Sequence, residues 1–141
     1  MSVSSTILFI GFLIFSSNYS DIEKNYDCLY ELKYPKKEIF QKLYTKYLKN
    51  NRIQYKLILS GKDCENNLIG TVEMNVNADP EINEDESGEA YASTEYYFEN
   101  KEYYFGISIS EDKKKAKVSY SSYDGEKEKC SFILDKIMNS K

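Results

Sequence analysis

Apolar and polar residues alternate along several stretches of the chain, and this period of two is typical of β-strands with one buried face. For example, Ile53, Tyr55 and Leu57 are separated from one another by single polar or charged residues. Turn-forming residues such as Asp124-Gly125 bound these stretches. The pattern predicts strands over 27–34, 53–60, 68–76 and 116–120.

The segment 93–107 is rich in tyrosine and phenylalanine and is nearly self-complementary about its centre. This symmetry predicts a β-hairpin in which Phe98 faces Tyr103 on an apolar face of the sheet. On the opposite face, Tyr97 and Tyr104 are expected to form a cross-strand pair. If that face is open, the pair is an exposed aromatic surface of the kind found at protein interfaces; otherwise it belongs to a second packed layer.

Two stretches show the helical period of about 3.6 residues instead. The first stretch lies between Pro35 and Asn50-Asn51 and contains Ile39, Phe40, Leu43, Tyr44, Tyr47 and Leu48. The second begins near Glu126 and contains Cys130, Ile133, Leu134 and Ile137. Together with the strands, they predict an α+β fold: a single antiparallel sheet of about five to six strands, with an N-terminal-half helix and a short C-terminal helix packed on one face.

The first 20 residues have the layout of a secretory signal peptide. Ile7–Phe15 is an uncharged apolar run, followed by small and polar residues and then Asp21. As a helix this run would span about 14 Å, which is half of a bilayer core of about 30 Å. We therefore expect residues 1–20 to be removed, residues 21–141 to form one domain without stable membrane insertion, and the protein to be secreted or periplasmic.

Three cysteines, Cys28, Cys64 and Cys130, are widely spaced and include no C-x-x-C pair. The spacing does not indicate a zinc ribbon or a thioredoxin-type motif. In an oxidising compartment, three cysteines predict one disulfide and one remaining thiol. Three pairings are possible, and the sequence does not choose among them.

The chain contains no histidine, and its formal net charge is −4. Without histidine there is no Ser-His-Asp or Cys-His arrangement and no histidine-ligated catalytic zinc. The lysines are interleaved with acidic residues, so nothing indicates a nucleic-acid surface. We therefore expect a protein that is not an enzyme and has no cofactor; a glycosidase working with two carboxylates is the remaining enzymatic alternative.

Residues 79–89 form an acidic segment with six carboxylates. An EF-hand loop is excluded, because Glu84 stands where that loop needs glycine and Ala90 stands where it needs glutamate, so no metal site is predicted. Clustered carboxylates raise the rate of encounter with basic partners; the alternative is that the segment is a solvated loop without a partner. The predicted partner-binding residues are therefore Asp79, Glu81, Glu84, Asp85, Glu86, Tyr97 and Tyr104.

These observations predict a small exported binding protein, most simply an inhibitor or immunity-type protein that occludes a protein partner with a basic surface. The alternative from another class is a carrier of a small molecule or a carbohydrate. A carrier needs a sizeable apolar cavity, and a completely filled core would exclude it.

Overall fold

The structure is a computed structural model that describes residues 25–34, 38–61, 64–85, 87–124 and 134–141. Every regular element in these ranges is a β-strand. The strands are β1 (Cys28–Tyr34), β2 (Ile39–Leu48), β3 (Arg52–Gly61), β4 (Cys64–Met74), β5 (Glu81–Glu84), β6 (Ala90–Glu99), β7 (Tyr103–Ser110), β8 (Lys115–Ser122) and β9 (Met138–Ser140).

The strands form one antiparallel sheet in the order β4-β3-β2-β1-β9-β8-β7-β6-β5. A further pairing joins β4 to β6, so eight strands close into an up-and-down barrel and β5 remains as an extra strand beside β6. The contacts between neighbours differ in length. The pairing of β3 with β4 extends over ten residue pairs, whereas β4–β6, β1–β9 and β8–β9 each comprise two.

The core is the interior of the barrel, because alternate residues of each strand point inward. Ladder partners such as Leu43 and Leu57 lie on this inner face. The fully or almost fully buried apolar residues include Tyr30, Leu43, Ile53, Leu57, Val72, Ile107, Val118 and Met138. The alternation that predicted strands β1, β3, β4 and β8 is confirmed. Strand β4 begins at Cys64, four residues before its predicted start, and the other ends differ by at most two residues.

The predicted helix over Ile39–Leu48 is wrong, because this segment is strand β2 and pairs with β1 and β3. Its inner face includes two polar residues, Gln41 and Thr45, which are completely buried. On its outer face, Tyr44 is also buried and packs against Tyr26 with ring centroids 5.6 Å apart. Because β2 has polar residues on its inner face and a buried aromatic residue on its outer face, its sequence does not show the alternation of apolar and polar residues that is typical of a strand.

The α+β fold class is therefore corrected to an all-β barrel with more strands than expected. No helix occurs in the described ranges. Residues 125–133, which include most of the predicted C-terminal helix, lie outside those ranges. Of its expected apolar face, Leu134 is buried in a turn, and the chain then forms strand β9, which pairs with both β1 and β8.

The aromatic hairpin is confirmed as strands β6 and β7, with its pairing shifted by two residues. Phe98 pairs with Phe105, not with Tyr103, so the predicted faces are kept. The side chain of Asn100 accepts hydrogen bonds from the backbone N–H groups of Glu102 and Tyr103, at 2.8 and 2.9 Å. These bonds favour a loop longer than the symmetry of the sequence indicates.

Two other expectations concern residues at the limits of the described chain. The predicted leader, residues 1–20, lies outside it, and so does Cys130. Cys28 is a free thiol, whereas Cys64 is disulfide-bonded. Of the three possible pairings, the two that include Cys28 are therefore excluded. No helix within the described ranges is long and apolar enough to cross a membrane.

Candidate functional site

The described residues surround a cavity of about 440 Å³ in one half of the barrel. It lies between the C-terminal part of β3, the N-terminal part of β4, and the ends of β6, β7 and β8 that meet at the hairpin. The residues that line it are Tyr55, Leu57, Leu59, Asn66, Leu68, Ile69, Gly70, Thr71, Phe98, Tyr103, Phe105, Tyr120 and Leu134. The volume lies within the range of about 300–1,000 Å³ that is typical of small-molecule sites.

The cavity opens at the seam between β4 and β6. These strands pair only at Glu73–Tyr97 and Met74–Tyr96, so the earlier part of β4 has no ladder partner on this edge within the described chain. Ile69 and Phe98 line the cavity and are exposed, at 65% and 45% of their surface. Since side chains of β4 from both faces line it, the cavity extends around the strand edge to solvent.

Aromatic rings form much of the cavity wall. Tyr55 stacks on Phe105, with ring centroids 4.9 Å apart and an angle of 24° between the planes. Tyr103 stacks on Tyr120, at 5.6 Å and 26°. Gly70, the ladder partner of Tyr55, leaves the space that the ring needs: a Cβ atom at Gly70 would lie 2.9 Å from the tyrosine Oη.

The polar groups at the cavity are neutral. Among the described lining residues there is no Lys, Arg, Asp or Glu, and the polar side chains are tyrosines, Asn66 and Thr71. Burial raises the pKa of Tyr55 to about 12, and the neighbouring Tyr103 contributes to the shift. The hydroxyl of Tyr55 therefore stays protonated at neutral pH and is available to donate a hydrogen bond.

A second group of polar atoms lies deeper in the barrel. The hydroxyl of Thr45 and both amide atoms of Gln41 are buried and have no hydrogen-bond partner within the described chain. The buried hydroxyl of Tyr30 lies close to Tyr47 and Cys28. The pKa of Tyr30 is raised strongly, mainly by burial and also by Tyr47 and Cys28 nearby. Gln41 pairs with Leu59, which lines the cavity, so the amide lies on the strand beside the cavity wall.

The predicted acidic residues that the structure describes lie outside the barrel, on and around β5. Asp79, Glu81 and Glu84 are exposed, and Glu86 lies outside the described residues. The carboxylate of Asp85 accepts hydrogen bonds from Ser87 and Glu89 and lies 3.9 Å from Lys115 Nζ.

These contacts lower the pKa of Asp85, and the hydrogen bond from the Ser87 hydroxyl is the largest cause. Asp85 therefore organises its own turn, which is a structural role. Its carboxylate is already shared among local partners. Glu81 is exposed but accepts a hydrogen bond from the Ser108 hydroxyl at 3.4 Å, and Glu84 is exposed.

The predicted tyrosine pair is brought together on the outer face. Tyr97 and Tyr104 are diagonal neighbours, and their rings stack with centroids 6.0 Å apart. The hydroxyl of Tyr104 donates a short hydrogen bond to Glu95, which also accepts one from Asn75 at 3.0 Å. Burial, followed by this bond to Glu95, strongly raises the pKa of Tyr104. Glu95 was not among the predicted residues.

The cavity residues were missed because each strand supplies only a few of them. Tyr55, Leu57 and Leu68 follow ordinary strand alternation and are typical of any core. The available signal was weak: an inward position of β4 is occupied by Asn66, where a filled core would have a larger apolar side chain.

Comparison of the chain with protein-family models, curated protein sequences and solved structures gives no match. Within the ranges that the structure describes, no group of three or more Cys, Asp or Glu residues is arranged to hold a metal ion. The functional argument therefore depends on the geometry of the barrel itself.

Proposed function

We propose that this protein binds a small, largely apolar molecule inside its barrel. The observation that carries the proposal is the cavity of about 440 Å³, which has an aromatic and aliphatic wall and an opening at the β4–β6 seam. Eight-stranded barrels are wide enough either to be filled by side chains or to hold one small ligand. In this barrel the side chains leave space.

The composition of the wall supports the proposal. Protein interiors are normally packed to the density of organic crystals, so a cavity of this size gives up contacts that a filled core would make. An apolar ligand would restore those contacts and remove its own surface from water. Leu68 on β4 and Phe105 on β7 provide apolar surface in the cavity wall, and Tyr55 and Asn66 provide a few polar groups that can orient a ligand.

The test is binding of small probes by calorimetry, with a variant that fills the cavity. The probes are naphthol, naphthoate, decanol and decanoate, which have similar sizes. We expect at least one to bind the wild-type protein with one-to-one stoichiometry. Leu68→Trp places a large ring in the cavity and should weaken that binding at least tenfold.

The matched control is Val76→Trp, because Val76 is 70% exposed and does not line the cavity. It should leave binding unchanged. Urea unfolding of both variants shows whether they are folded. If none of the four probes binds, or if a folded Leu68→Trp protein binds as tightly as the wild type, the proposal fails.

A protein partner on the outer surface is the second candidate, and the observation that favours it is the stacked pair of Tyr97 and Tyr104. Exposed Glu81 and Glu84 on β5 would attract a basic partner. Neutralising both glutamates should slow association and reduce its dependence on salt, and Tyr97→Ala should speed dissociation. Unchanged rates with a purified partner would exclude this surface.

A further inference from the structure

We propose that the ligand of the barrel is an uncharged planar ring compound with one or two hydroxyl or carbonyl groups. This inference rests on the proposed function and specifies its ligand class. Three observations support it: the absence of charge among the described lining residues, the stacked aromatic pairs in the wall, and the few neutral polar groups at known positions.

The first observation concerns charge. A carboxylate or ammonium group that enters a cavity loses its hydration, and this is tolerated only where an opposite charge or several hydrogen bonds replace the water. No described lining residue is charged, and the lining polar side chains are tyrosines, Asn66 and Thr71. A fatty acid or an organic cation would have to keep its charged end outside the seam. A neutral ligand can enter completely.

The second observation concerns shape. Aromatic side chains make up five of the thirteen described lining residues, namely Tyr55, Phe98, Tyr103, Phe105 and Tyr120. Four of them form two stacked pairs with interplanar angles of 24° and 26°. A rigid ring can add to such stacks and loses no internal rotations on binding, whereas a flexible chain loses many. The wall therefore favours planar guests over aliphatic chains of equal size.

The third observation concerns the polar groups. Tyr55 presents a hydroxyl that remains protonated, and the Asn66 amide can both donate and accept hydrogen bonds. Asn66 is on the inner face of β4, opposite Leu59 in the ladder. A hydroxyl or carbonyl on the ring would match these groups without a change of charge.

The four probes test charge and shape separately, because a planar ring and a flexible chain are each present in a neutral form and as a carboxylate. We expect naphthol to bind most tightly, at least tenfold tighter than naphthoate and at least threefold tighter than decanol. Decanoate should bind weakest. A ranking in which either carboxylate binds as tightly as its neutral counterpart, or in which decanol equals or exceeds naphthol, would overturn the ligand class.

A positive charge introduced into the cavity provides a second test, because it should improve the binding of a carboxylate. Asn66→Lys adds a cation to the inner face of β4, and we expect it to lower the preference for naphthol over naphthoate at least tenfold. The matched control is Asn67→Lys, which adds the same charge one residue later, on the exposed outer face. The control should keep the wild-type preference.

The outcomes distinguish this inference from the proposed function. If probes bind and Leu68→Trp weakens them but the ranking differs from that expected, the cavity is a binding site and the ligand class is wrong. If Asn66→Lys and Asn67→Lys change the preference equally, charge acts over the whole surface and the argument from the lining residues is refuted. If no probe binds, the cavity is not a binding site, and both the proposed function and the ligand class are wrong.

Discussion

Replacing Gln41 by methionine should make the protein more stable, although Gln41 is one of its most deeply buried residues. The side chain is 0% exposed, and neither its amide oxygen nor its amide nitrogen has a hydrogen-bond partner within the described chain. A buried polar group without a partner loses its hydrogen bonds to water on folding and gains nothing in exchange. Methionine has a similar length and shape and no such groups.

The magnitude follows from the cost of leaving the amide unpaired, which is about 1–3 kcal/mol in proteins. The loss of side-chain rotamer freedom is similar for glutamine and methionine, so it largely cancels. We expect the free energy of unfolding of Gln41→Met to rise by about 1–3 kcal/mol. With a urea dependence of about 2 kcal/mol per molar, this corresponds to a midpoint increase of about 0.5–1.5 M.

The assay is equilibrium unfolding in urea, followed by circular dichroism, with Gln54→Met as the control. Gln54 is on the adjacent strand β3 and is only partly buried, so its replacement should change stability by less than about 0.5 kcal/mol. If the midpoint of Gln41→Met is unchanged or lower while its urea dependence stays the same, the amide has a partner such as a buried water molecule. That result would refute the reasoning from an unpaired group.

Two further predictions concern tyrosines. Gly106→Ala should destabilise the protein by about 1–2 kcal/mol in urea unfolding, because its Cβ would lie 2.4 Å from Tyr104 Oη and displace the ring from Tyr97 and Glu95. The loss should vanish in a Tyr104→Ala background, and an undiminished loss there would refute this cause. The pKa of Tyr55 is about 12 in the folded protein against 10.0 ordinarily, so its contribution to stability is complete below pH 10 and decreases as the pH rises to about 12. Tyr55→Phe should therefore reduce the fall of the urea midpoint across that interval, and an equally steep fall would contradict the assignment.

The strands that could be predicted from the sequence are those whose two faces differ in polarity. Strand β3 alternates regularly, and the aromatic hairpin keeps its apolar residues on one face even with a shifted register. Strand β2 could not be predicted, because Gln41 and Thr45 point into the barrel while Tyr44 is buried outside. The order of polar and apolar residues along β2 follows the interior of this particular barrel. A helical period of about 3.6 residues fits that order equally well.

Closure of the barrel could not be predicted either, because it depends on short contacts between distant parts of the chain. Strand β9 has three residues, too few for any periodicity, yet it connects β1 with β8. The cavity depends on closure of the barrel, since its wall combines residues from β3, β4, β6, β7 and β8. The acidic residues could be predicted without any tertiary contact. The structure places Asp79, Glu81, Glu84 and Asp85 on the outer surface, and all but Asp85 are exposed.

The unequal lengths of the strand contacts divide the barrel into two extensively paired plates, one formed by β1 to β4 and the other by β6 to β8. Strands β1 to β4 are joined by seven to ten residue pairs at each step, and β6 to β8 by seven, whereas the plates meet through contacts of two pairs each. Separating the plates at β4 and β6 breaks few hydrogen bonds and leaves each plate intact. If a ligand enters between β4 and β6, we expect these strands to separate there without unfolding of any strand.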